Sequence, residues 1–386
     1  MENSNLPIIR VKEFDNLWES NKISKIVRIS AGGDIDKLKL RKKGKYPVIA
    51  NSLMDDGIVG FYDDYKVEAP AVTVTGRGAV GHAVARHENF TPIVRLLTLK
   101  SNKIDVDFME NLINSIHILN ESTGVPQLTA PQLGSYKISF PSLAEQSAIG
   151  SLFRTIDDLL TSYKDNLANY QSLKATMLSK MFPKAGQTVP EIRLDGFEGE
   201  WELLEINDLA DDFQSGGTPK TNVQEYWDGD IPWIQSSDLE TNCLFKIKVQ
   251  KSISEKGLKN SSAKIIPKDS IAVVTRVGVG KLVVMQHEYA TSQDFLSLSN
   301  LKSNIEFTAY LLYRLLQKEV TQLQGTSIKG ITKVELLSKK VLIPSLPEQQ
   351  AIGAYFSNLD QLITSYQEKI SQLETLKKKL LQDMFI

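Results

Sequence analysis

The sequence predicts an α+β fold that occurs twice in the chain, as two globular domains that are each followed by one long helix. Residues 141–182 and 344–385 align without a gap at an offset of 203, and 19 of these 42 positions are identical. A second match, at an offset of 183, links the starts of the globular parts: Pro7, Arg10, Phe14 and Trp18 recur as Pro190, Arg193, Phe197 and Trp201. The chain is therefore a tandem repeat of a unit of about 180 to 200 residues.

Each segment of the longer match predicts one long helix. Ser142 and Ser345 are candidate N-caps, and Glu145 and Glu348 follow at the spacing of a capping box. Apolar residues then recur at spacings of three and four through about five heptads, which is the pattern of a coiled-coil seam. Each helix would be roughly 60 Å long, and we expect the two helices to pack against each other as spacers.

The packing residues follow from the heptads. In both copies one seam position is charged, as Lys174 and Lys377, and this interrupts the apolar pattern. The residues that we expect to pack the helices are Ile149, Phe153, Ile156, Leu160 and Tyr163 in the first copy and Ile352, Phe356, Leu359, Ile363 and Tyr366 in the second.

The repeat divides the chain into four segments. We expect a first globular domain at 1–140, a spacer helix at 141–185, a second globular domain at 186–343 and a second spacer helix at 344–386. Short strands are predicted at 46–50, 58–62 and 71–75. Helices are predicted at 107–119 and at 306–323. The second globular part is longer by about 20 residues, which loops accommodate readily.

Composition excludes several classes of protein. With 41% hydrophobic and 24% charged residues the chain is typical of globular proteins, and no run of about 18 apolar residues predicts a membrane span. The amino-terminal sequence lacks the basic and apolar regions of a signal peptide, and the single cysteine, Cys243, fits a reducing compartment. We therefore expect a cytoplasmic protein. Because the net charge is only −1, any surface for nucleic acid must be local.

The glycine-rich segment 76–81 formally matches a dinucleotide-binding fingerprint. That fingerprint requires a helix that begins at the glycines, whereas the residues that follow, 82–85, predict a strand. Segment 275–281 of the second half has the same strand–turn–strand pattern. We therefore interpret both segments as hairpin turns.

The sequence predicts neither a catalytic residue nor a metal site. It contains no Asp/Asn-Pro-Pro-Tyr/Phe motif for base methylation and no Pro-Asp dipeptide, with which the usual nuclease motif begins. The four histidines do not have the spacing of metal ligands; they are His82, His87, His117 and His287.

An ordered set of motifs carries a resemblance to a known family. The motifs are GGTPK at 216–220, YW at 226–227, GDIPWIQSSDL at 229–239, GTSIKGITK at 325–333 and PSLPEQQAI at 344–352. Together they resemble the specificity subunit of type I restriction–modification systems, over almost the whole chain, although the first half lacks TPK and IPW. The resemblance implies two target-recognition domains held apart by two antiparallel helices, with each domain reading one half of a bipartite, asymmetric DNA site.

The same resemblance implies partners and cofactors. Two methyltransferase subunits, which use S-adenosylmethionine, would dock on the helices, and restriction subunits would use ATP and Mg²⁺. This chain would bind double-stranded DNA and hold no cofactor of its own. Two alternatives remain open, namely a scaffold that joins proteins through its helices and ignores DNA, and an enzyme in its own right such as a fused methyltransferase–nuclease.

Candidate DNA contacts are basic and polar residues on predicted loops. Phosphate contacts would position each domain, and polar side chains would read base edges in the major groove. For any single residue, a solvated surface position explains the sequence equally well. The candidates are Arg41, Lys42, Lys43, Lys45, Asn51, Ser52, Arg77 and Arg86 in the first domain and Thr218, Lys220, Gln235, Ser236, Arg276, Lys281, Ser327, Lys329 and Lys333 in the second.

Overall fold

The computed structural model describes residues 6–116, 118, 125–323 and 330–385. These residues form two compact units. Unit 1 consists of Met1–Asn166 and Tyr366–Ile386, and unit 2 consists of Leu167–Ser365. In the described part of the chain, none of the helices combines the length and apolarity that a membrane span requires.

The described residues of unit 1 form nine strands and three short helices, followed by the start of a long helix. The strands are β1 (Glu19–Lys22), β2 (Arg28–Ala31), β3 (Tyr46–Ile49), β4 (Ile58–Tyr62), β5 (Ala71–Val74), β6 (Ala83–Arg86), β7 (Thr91–Pro92), β8 (Leu97–Lys100) and β9 (Lys137–Phe140). The helices are α1 (Ile23–Ile26), α2 (Val106–Ser115), α3 (Ala130–Ser135) and the long α4 (Leu143–Lys180), and a 3-10 turn lies at Met54–Gly57.

Unit 2 has the corresponding elements. Its strands are β10 (Glu202–Glu205), β11 (Ala210–Ser215), β12 (Trp227–Ile234), β13 (Lys251–Ile253), β14 (Ser270–Val274), β15 (Leu282–Met285), β16 (Ala290–Thr291), β17 (Phe295–Leu301) and β18 (Lys340–Ile343). Its helices are α5 (Glu255–Lys259), α6 (Ile305–Leu323), α7 (Lys333–Leu337) and the long α8 (Leu346–Met384), and 3-10 turns lie at Ile206–Leu209, Gln224–Tyr226 and Ser236–Asp238.

The two units share one sheet topology. Unit 1 has sheets of order β2-β8-β5-β6, β4-β3-β7 and β1-β9, and unit 2 has β11-β17-β14-β15, β13-β12-β16 and β10-β18. In each unit the three-stranded sheet contains one parallel pair, which is β3 with β7 in unit 1 and β12 with β16 in unit 2. The predicted α+β internal repeat is therefore confirmed.

The predicted strands and hairpins are confirmed, while one helix is shorter than expected. Segments 76–81 and 275–281 are the turns of the antiparallel pairs β5–β6 and β14–β15. The helix expected at 107–119 ends at Ser115, and its counterpart α6 reaches Leu323.

The first and last strands of each globular part close its base. β1 pairs with β9 and β10 pairs with β18, each antiparallel over four residue pairs, and α4 or α8 begins three residues later. The Ser142 hydroxyl accepts a bond from the Glu145 amide at 3.4 Å, so this N-cap is present.

The predicted capping boxes are wrong in their second half. The Glu145 carboxylate is bound by two nitrogens of Arg10, both at 2.7 Å, and Arg193 binds Glu348 at 2.8 and 2.7 Å. Both carboxylates are 1% exposed. Two bonds from one guanidinium satisfy a buried carboxylate better than a single main-chain amide does, which explains this outcome.

The glutamines that follow connect the long helices to the shorter ones. The Oε1 atoms of Gln146 and Gln349 accept bonds at 2.9 Å from the amides of Asp105 and Asn304, which precede α2 and α6. At Gly150 and Gly353 a Cβ would meet these same shorter helices within about 3 Å. We call each set, Arg10, Glu145, Gln146 and Gly150 or Arg193, Glu348, Gln349 and Gly353, a helix junction.

Within each unit α4 and α8 run antiparallel. In unit 1, Phe153 contacts Phe385 and Tyr163 contacts Tyr366; in unit 2, Phe356 stacks on Phe182. The other predicted packing residues are also removed from solvent: Ile149, Ile156, Leu160, Ile352 and Leu359 are buried, and Ile363 is half-buried.

The two lysines in the seam are paired and do not interrupt the packing. Lys174 Nζ lies 2.5 Å from Asp360 Oδ1 in unit 2, and Lys377 Nζ lies 2.6 Å from Asp157 Oδ1 in unit 1. Both members of the pair recur at the offset of 203. The expectation of an interruption was wrong because each charge meets an aspartate on the other helix.

Candidate nucleic-acid interface

In unit 2, five connecting segments meet at one end of the sheets. They are the loop after β11 (216–220), the turn after β12 (235–239), the β14–β15 turn (275–281), the β16–β17 turn (292–294) and the segment before α7 (330–332). Main-chain bonds join them, donor first: Gly217 to Thr291 (2.8 Å), Ser292 to Ile234 (2.9 Å), Thr275 to Asp294 (2.7 Å) and Ile331 to Thr275 (2.7 Å). We call this set the loop edge of unit 2.

Two tryptophans hold the 216–220 loop. Trp233 Nε1 donates to the carbonyl of Gly217 at 2.9 Å, and Trp227 Nε1 donates to that of Lys220 at 3.2 Å. The two rings contact each other edge to face at 5.1 Å, and the ammonium of Lys251 lies over both. A Cβ at position 216 or 217 would collide with the neighbouring main chain, so only glycine permits this approach. The GGTPK, YW and IPW motifs thus build one rigid loop.

Some of the residues of unit 2 that the sequence predicts to contact DNA are exposed on this edge, and others are hydrogen-bonded within the unit. Lys220 and Arg276 are exposed. Thr218 Oγ1 donates to Gln293 Oε1 at 2.5 Å. The ammonium of Lys281 donates to the carbonyls of Ser236 and Leu239, and the ammonium of Lys333 donates to the carbonyl of Phe213. The main-chain amide of Gln235 donates to the carboxylate of Asp238. Ser327 and Lys329 lie outside the described residues.

Unit 1 has an equivalent loop edge. Its segments are the residues after β2 (32–33), the residues after β3 (50–53), the β5–β6 turn (75–82), the β7–β8 turn (93–95) and the segment before α3 (125–129). Two of the bonds that join them match bonds of unit 2, donor first: Ile93 to Ile49 (2.9 Å) and Leu128 to Gly76 (3.0 Å). In addition, Gly32 donates to Leu96 (2.8 Å).

Two of the polar candidates in unit 1 are used inside the fold. Asn51 accepts a bond from the Gly76 amide at 2.7 Å and donates to the Val94 carbonyl at 3.0 Å, so it ties three segments together. Arg86 donates to Thr73 at 3.0 Å and to the carbonyl of Asp56 at 2.6 Å, and burial lowers the pKa of its guanidinium. Neither side chain points freely to solvent in this structure.

The remaining candidates of unit 1 are more accessible. Arg77 is exposed at the β5–β6 turn, and Lys42 and Lys43 are exposed before β3. Arg41 pairs with Asp63 at 2.9 Å on the surface. The ammonium of Lys45 lies 5.0 Å from the Tyr46 ring centre, and a hydrogen bond to Tyr46 raises the pKa of Lys45. The Ser52 hydroxyl accepts a bond from the Met54 amide at 3.1 Å.

Comparison with known protein families decides the identity. The model of the type I restriction modification DNA specificity domain matches residues 16–169 and again 198–375, which together are most of the chain. This chain belongs to the type I specificity family.

Relatives of the specificity subunit class support the assignment. The chain is 28% identical over 194 residues to the type I restriction enzyme MjaIX specificity subunit of Methanocaldococcus jannaschii, covering 48% of this chain and 44% of that relative. It is 27% identical over 159 residues to the EcoprrI specificity subunit of Escherichia coli, covering 39% and 37%. In these two alignments the chain therefore spans less than half the length of the curated relative.

Solved structures of the same class share the fold. The crystal structure of an S subunit from M. genitalium matches with a TM-score of 0.69 at 17% identity and covers 99% of both chains. A structure that concerns complex assembly and conformational transition of the type I R-M system matches with a TM-score of 0.53 at 16% identity, covering 94% and 96%.

Sequence reasoning missed part of the loop edges of this specificity protein. Val94 and Arg95 in unit 1, and Gln293 and Asp294 in unit 2, form the β7–β8 and β16–β17 turns, and Val94, Arg95 and Gln293 are exposed. The strands that precede these turns, β7 and β16, are only two residues long, which is too short to show an alternation of apolar and polar residues in the sequence. Among the described residues, no group of three or more metal-ligating side chains is close enough to hold an ion.

Proposed function

We propose that this chain reads a bipartite, asymmetric DNA site as the specificity subunit of a type I restriction–modification complex. The observation that carries the proposal is that the specificity domain occurs twice, each time with a loop edge of corresponding strands and turns but largely different side chains. Segments 1–140 and 186–343 would each bind one half of the site. Segments 141–185 and 344–386 would set the number of base pairs between the halves.

The chemistry of the loop edges suits duplex DNA. Arg77, Arg276 and Lys220 on these edges, together with the basic segment 41–45 before β3, would contact phosphates, which position each domain without reading sequence. Side chains on the rigid turns would then contact base edges in the major groove, where every base pair presents a distinct pattern of donors and acceptors. Ser52, Gln235, Ser236, Lys281, Ser327, Lys329 and Lys333 stay candidates for such contacts.

Two copies of a methyltransferase subunit are the partners that we propose. Exposed leucines occur at equivalent positions of the two long helices, at Leu159 and Leu362 and again at Leu173 and Leu376. Each unit therefore presents one leucine from α4 and one from α8. Because exposed apolar positions repeated in this way favour a partner that binds each unit alike, they support a pair of identical subunits.

The chain itself would be non-catalytic. We propose that methyltransferase subunits supply S-adenosylmethionine chemistry and that restriction subunits use ATP and Mg²⁺, all in the cytoplasm where the cellular DNA lies. A scaffold that ignores DNA and an enzyme in its own right are the competing functions. The absence of methyltransferase and nuclease motifs from the sequence disfavours the second of these.

Mapping of methylated adenines tests the proposal. Cells that carry this chain and the methyltransferase subunit of its own system should show a split motif with a fixed gap. The full-length chain should bind duplex DNA with a steep salt dependence, and replacement of Arg77 and Arg276 by alanine should reduce the salt slope by about one for each lost phosphate contact. Methylation by this chain alone, or duplex binding that does not respond to salt, would contradict the proposal.

Partner docking has its own test. Leu159→Glu and Leu362→Glu each place a charge at an exposed apolar site, so each should remove one methyltransferase copy from the complex, as measured by mass. Gln361→Glu, at an exposed neighbour of Leu362, is the matched control and should leave two copies bound. Two copies retained by both leucine variants would exclude this docking surface.

A further inference from the structure

The two loop edges can be compared position by position because their backbones correspond. Val48 and Ile49 pair with Thr91 and Pro92, as Trp233 and Ile234 pair with Ala290 and Thr291. The turns that follow, 93–95 and 292–294, are therefore equivalent. The β5–β6 and β14–β15 turns are closed by equivalent bonds, from Thr75 to His82 and from Val274 to Lys281, both 3.0 Å.

One exposed basic residue is shared by the described parts of the two edges. Arg77 and Arg276 are each the third residue counted from Thr75 and Val274, and both are exposed. Contacts to phosphate carry no information about sequence, so two domains that bind different half-sites can use the same arginine. These arginines therefore suit the phosphate contacts proposed above, which position each domain.

The β7–β8 and β16–β17 turns differ in every position. Ile93-Val94-Arg95 of unit 1 corresponds to Ser292-Gln293-Asp294 of unit 2. If the two half-sites differ, the residues that read bases must differ as well. These turns meet that requirement. In unit 2 the turn also lies beside the shared arginine, because the amide of Thr275, which precedes Arg276, donates to the carbonyl of Asp294.

Gln293 is held in a defined orientation. Its Oε1 accepts a bond of 2.5 Å from the Thr218 hydroxyl, and Thr218 belongs to the loop that the indoles of Trp227 and Trp233 hold. A carboxamide oxygen has two lone pairs, so Gln293 retains one acceptor position and both amide protons for a ligand. A glutamine with one acceptor and one donor side by side matches N6 and N7 of adenine in the major groove.

We propose that Gln293 reads an adenine in the half-site bound by unit 2, and that Thr218 is its positioning residue. The proposal rests on the proposed function as a DNA-reading subunit and names the base-reading side chain within it. In unit 1 the equivalent turn, with Val94 and Arg95, reads a different base pair.

The test is a change of base preference at one position. Gln293→Arg introduces the fork that binds O6 and N7 of guanine, so one A·T pair in one half of the methylated motif should become G·C, with discrimination of about ten-fold or more. Gln286→Arg is the matched control, since Gln286 is exposed in the same unit and follows β15 at the opposite end of the β14–β15 hairpin from the 275–281 turn. It should leave the motif unchanged.

The role of Thr218 requires a separate readout. Thr218→Val removes the hydroxyl at nearly constant volume and should relax the preference at the same base pair without changing the other half of the motif. Thr218→Ser restores the hydroxyl and should restore the preference. A uniform loss of affinity in the valine variant, with base preference unchanged, would show that Thr218 only supports the fold.

The outcomes separate this inference from the proposed function. Absence of a split motif with the unaltered chain would overturn the proposed function itself. A split motif that Gln293→Arg leaves unchanged would overturn only the inference. If Gln293→Arg stops methylation, binding of the complex to duplexes that carry each of the four base pairs at each half-site position decides: a new preference at one position supports the inference, and an equal loss on all duplexes overturns it.

Discussion

Units 1 and 2 differ far more at their loop edges than at their helix junctions. The arginine, glutamate, glutamine and glycine of the junction are the same in both copies, with bonds of nearly equal length. At the loop edges some backbone bonds, the paired glycines 32–33 and 216–217, and the arginines Arg77 and Arg276 are shared, whereas most of the other side chains differ. This difference indicates that the helix junction requires the same residues in both units, whereas the side chains of the loop edges can vary from one unit to the other.

The apolar ends of the helices provide the largest expected effect. Phe182 is 1% exposed and contacts Trp201, Phe307 and Phe356, while Phe385 is 8% exposed and contacts Phe108 and Phe153. Phe182→Ala should therefore destabilise unit 2 by about 3–5 kcal/mol, and Phe385→Ala should destabilise unit 1 by less. Denaturant unfolding of the full chain measures both, and equal losses would contradict this ranking.

The junction arginines come next. Arg193→Ala leaves Glu348 buried without its partner, and we expect a loss of about 2–4 kcal/mol, somewhat below that of a fully buried pair because the arginine is 16% exposed. Arg10→Ala should cost unit 1 about the same. Lys259→Ala, which breaks an exposed pair in unit 2, is the control and should change stability by less than about 0.5 kcal/mol.

The carboxyl group of Glu110 makes a pH-dependent contribution to the stability of unit 1, and the equivalent position of unit 2 holds no ionisable group. Burial and the Asp157 carboxylate raise the pKa of Glu110 to about 7, against the opposing influence of Lys377, the Ala85 main chain and Arg86. The unfolded chain releases this proton near pH 4.5, so the contribution of Glu110 to the stability of unit 1 should fall as the pH rises from there to about 7 and stay constant above it.

Glu110→Gln tests this directly. It should stabilise unit 1 by about 1–3 kcal/mol at pH 8 and have little effect at pH 4. Ala309 takes the equivalent place in unit 2. Phe108 and Phe307 occupy corresponding positions in α2 and α6, and Glu110 and Ala309 each follow two residues later. Unfolding of unit 2 should therefore not change with this substitution, and an equal benefit at both pH values would refute the assignment.

The smallest effect concerns the seam lysines. Lys174 and Asp360 are 11% and 21% exposed, and the Tyr310 hydroxyl also binds Asp360 at 2.7 Å. Lys377 and Asp157 are 28% and 42% exposed. Lys174→Ala should cost about 1–2 kcal/mol and Lys377→Ala less than about 1 kcal/mol, because solvent screens the more exposed pair. A double-mutant cycle with each aspartate measures the two couplings.

The long helices and hairpins could be predicted because their signals are local. Heptads and the offset of 203 are read directly from the sequence, and the glycine turns lie between two recognisable strands. The partner of Glu145 could not be derived in this way, because a glutamate three residues after a serine fits a capping box as well as a buried pair with a distant arginine. The recurrence of Arg10 and Trp18 at Arg193 and Trp201 was the signal that pointed to a shared role.

The individual contacts of the loop edges were beyond sequence reasoning for a different reason. Asn51 and Arg86 have the composition of base and phosphate contacts, yet here they bond to the main chain of adjacent loops. Such bonds depend on the path of the backbone through irregular turns, and these turns have no periodic sequence pattern from which that path could be predicted. Lys174 shows the same limit, since its charge was visible and its aspartate was on a helix almost two hundred residues away.

The pairing of the first and last strands of each globular part has a consequence for recombination between genes. β1 pairs with β9, and β10 pairs with β18, just before the long helix begins. The two ends of the segment between each pair of strands are therefore adjacent in space. A recombination event that exchanges only the codons between these strands would deliver a new reading surface onto an unchanged helix junction. A lineage could thereby acquire a new DNA target in one genetic step.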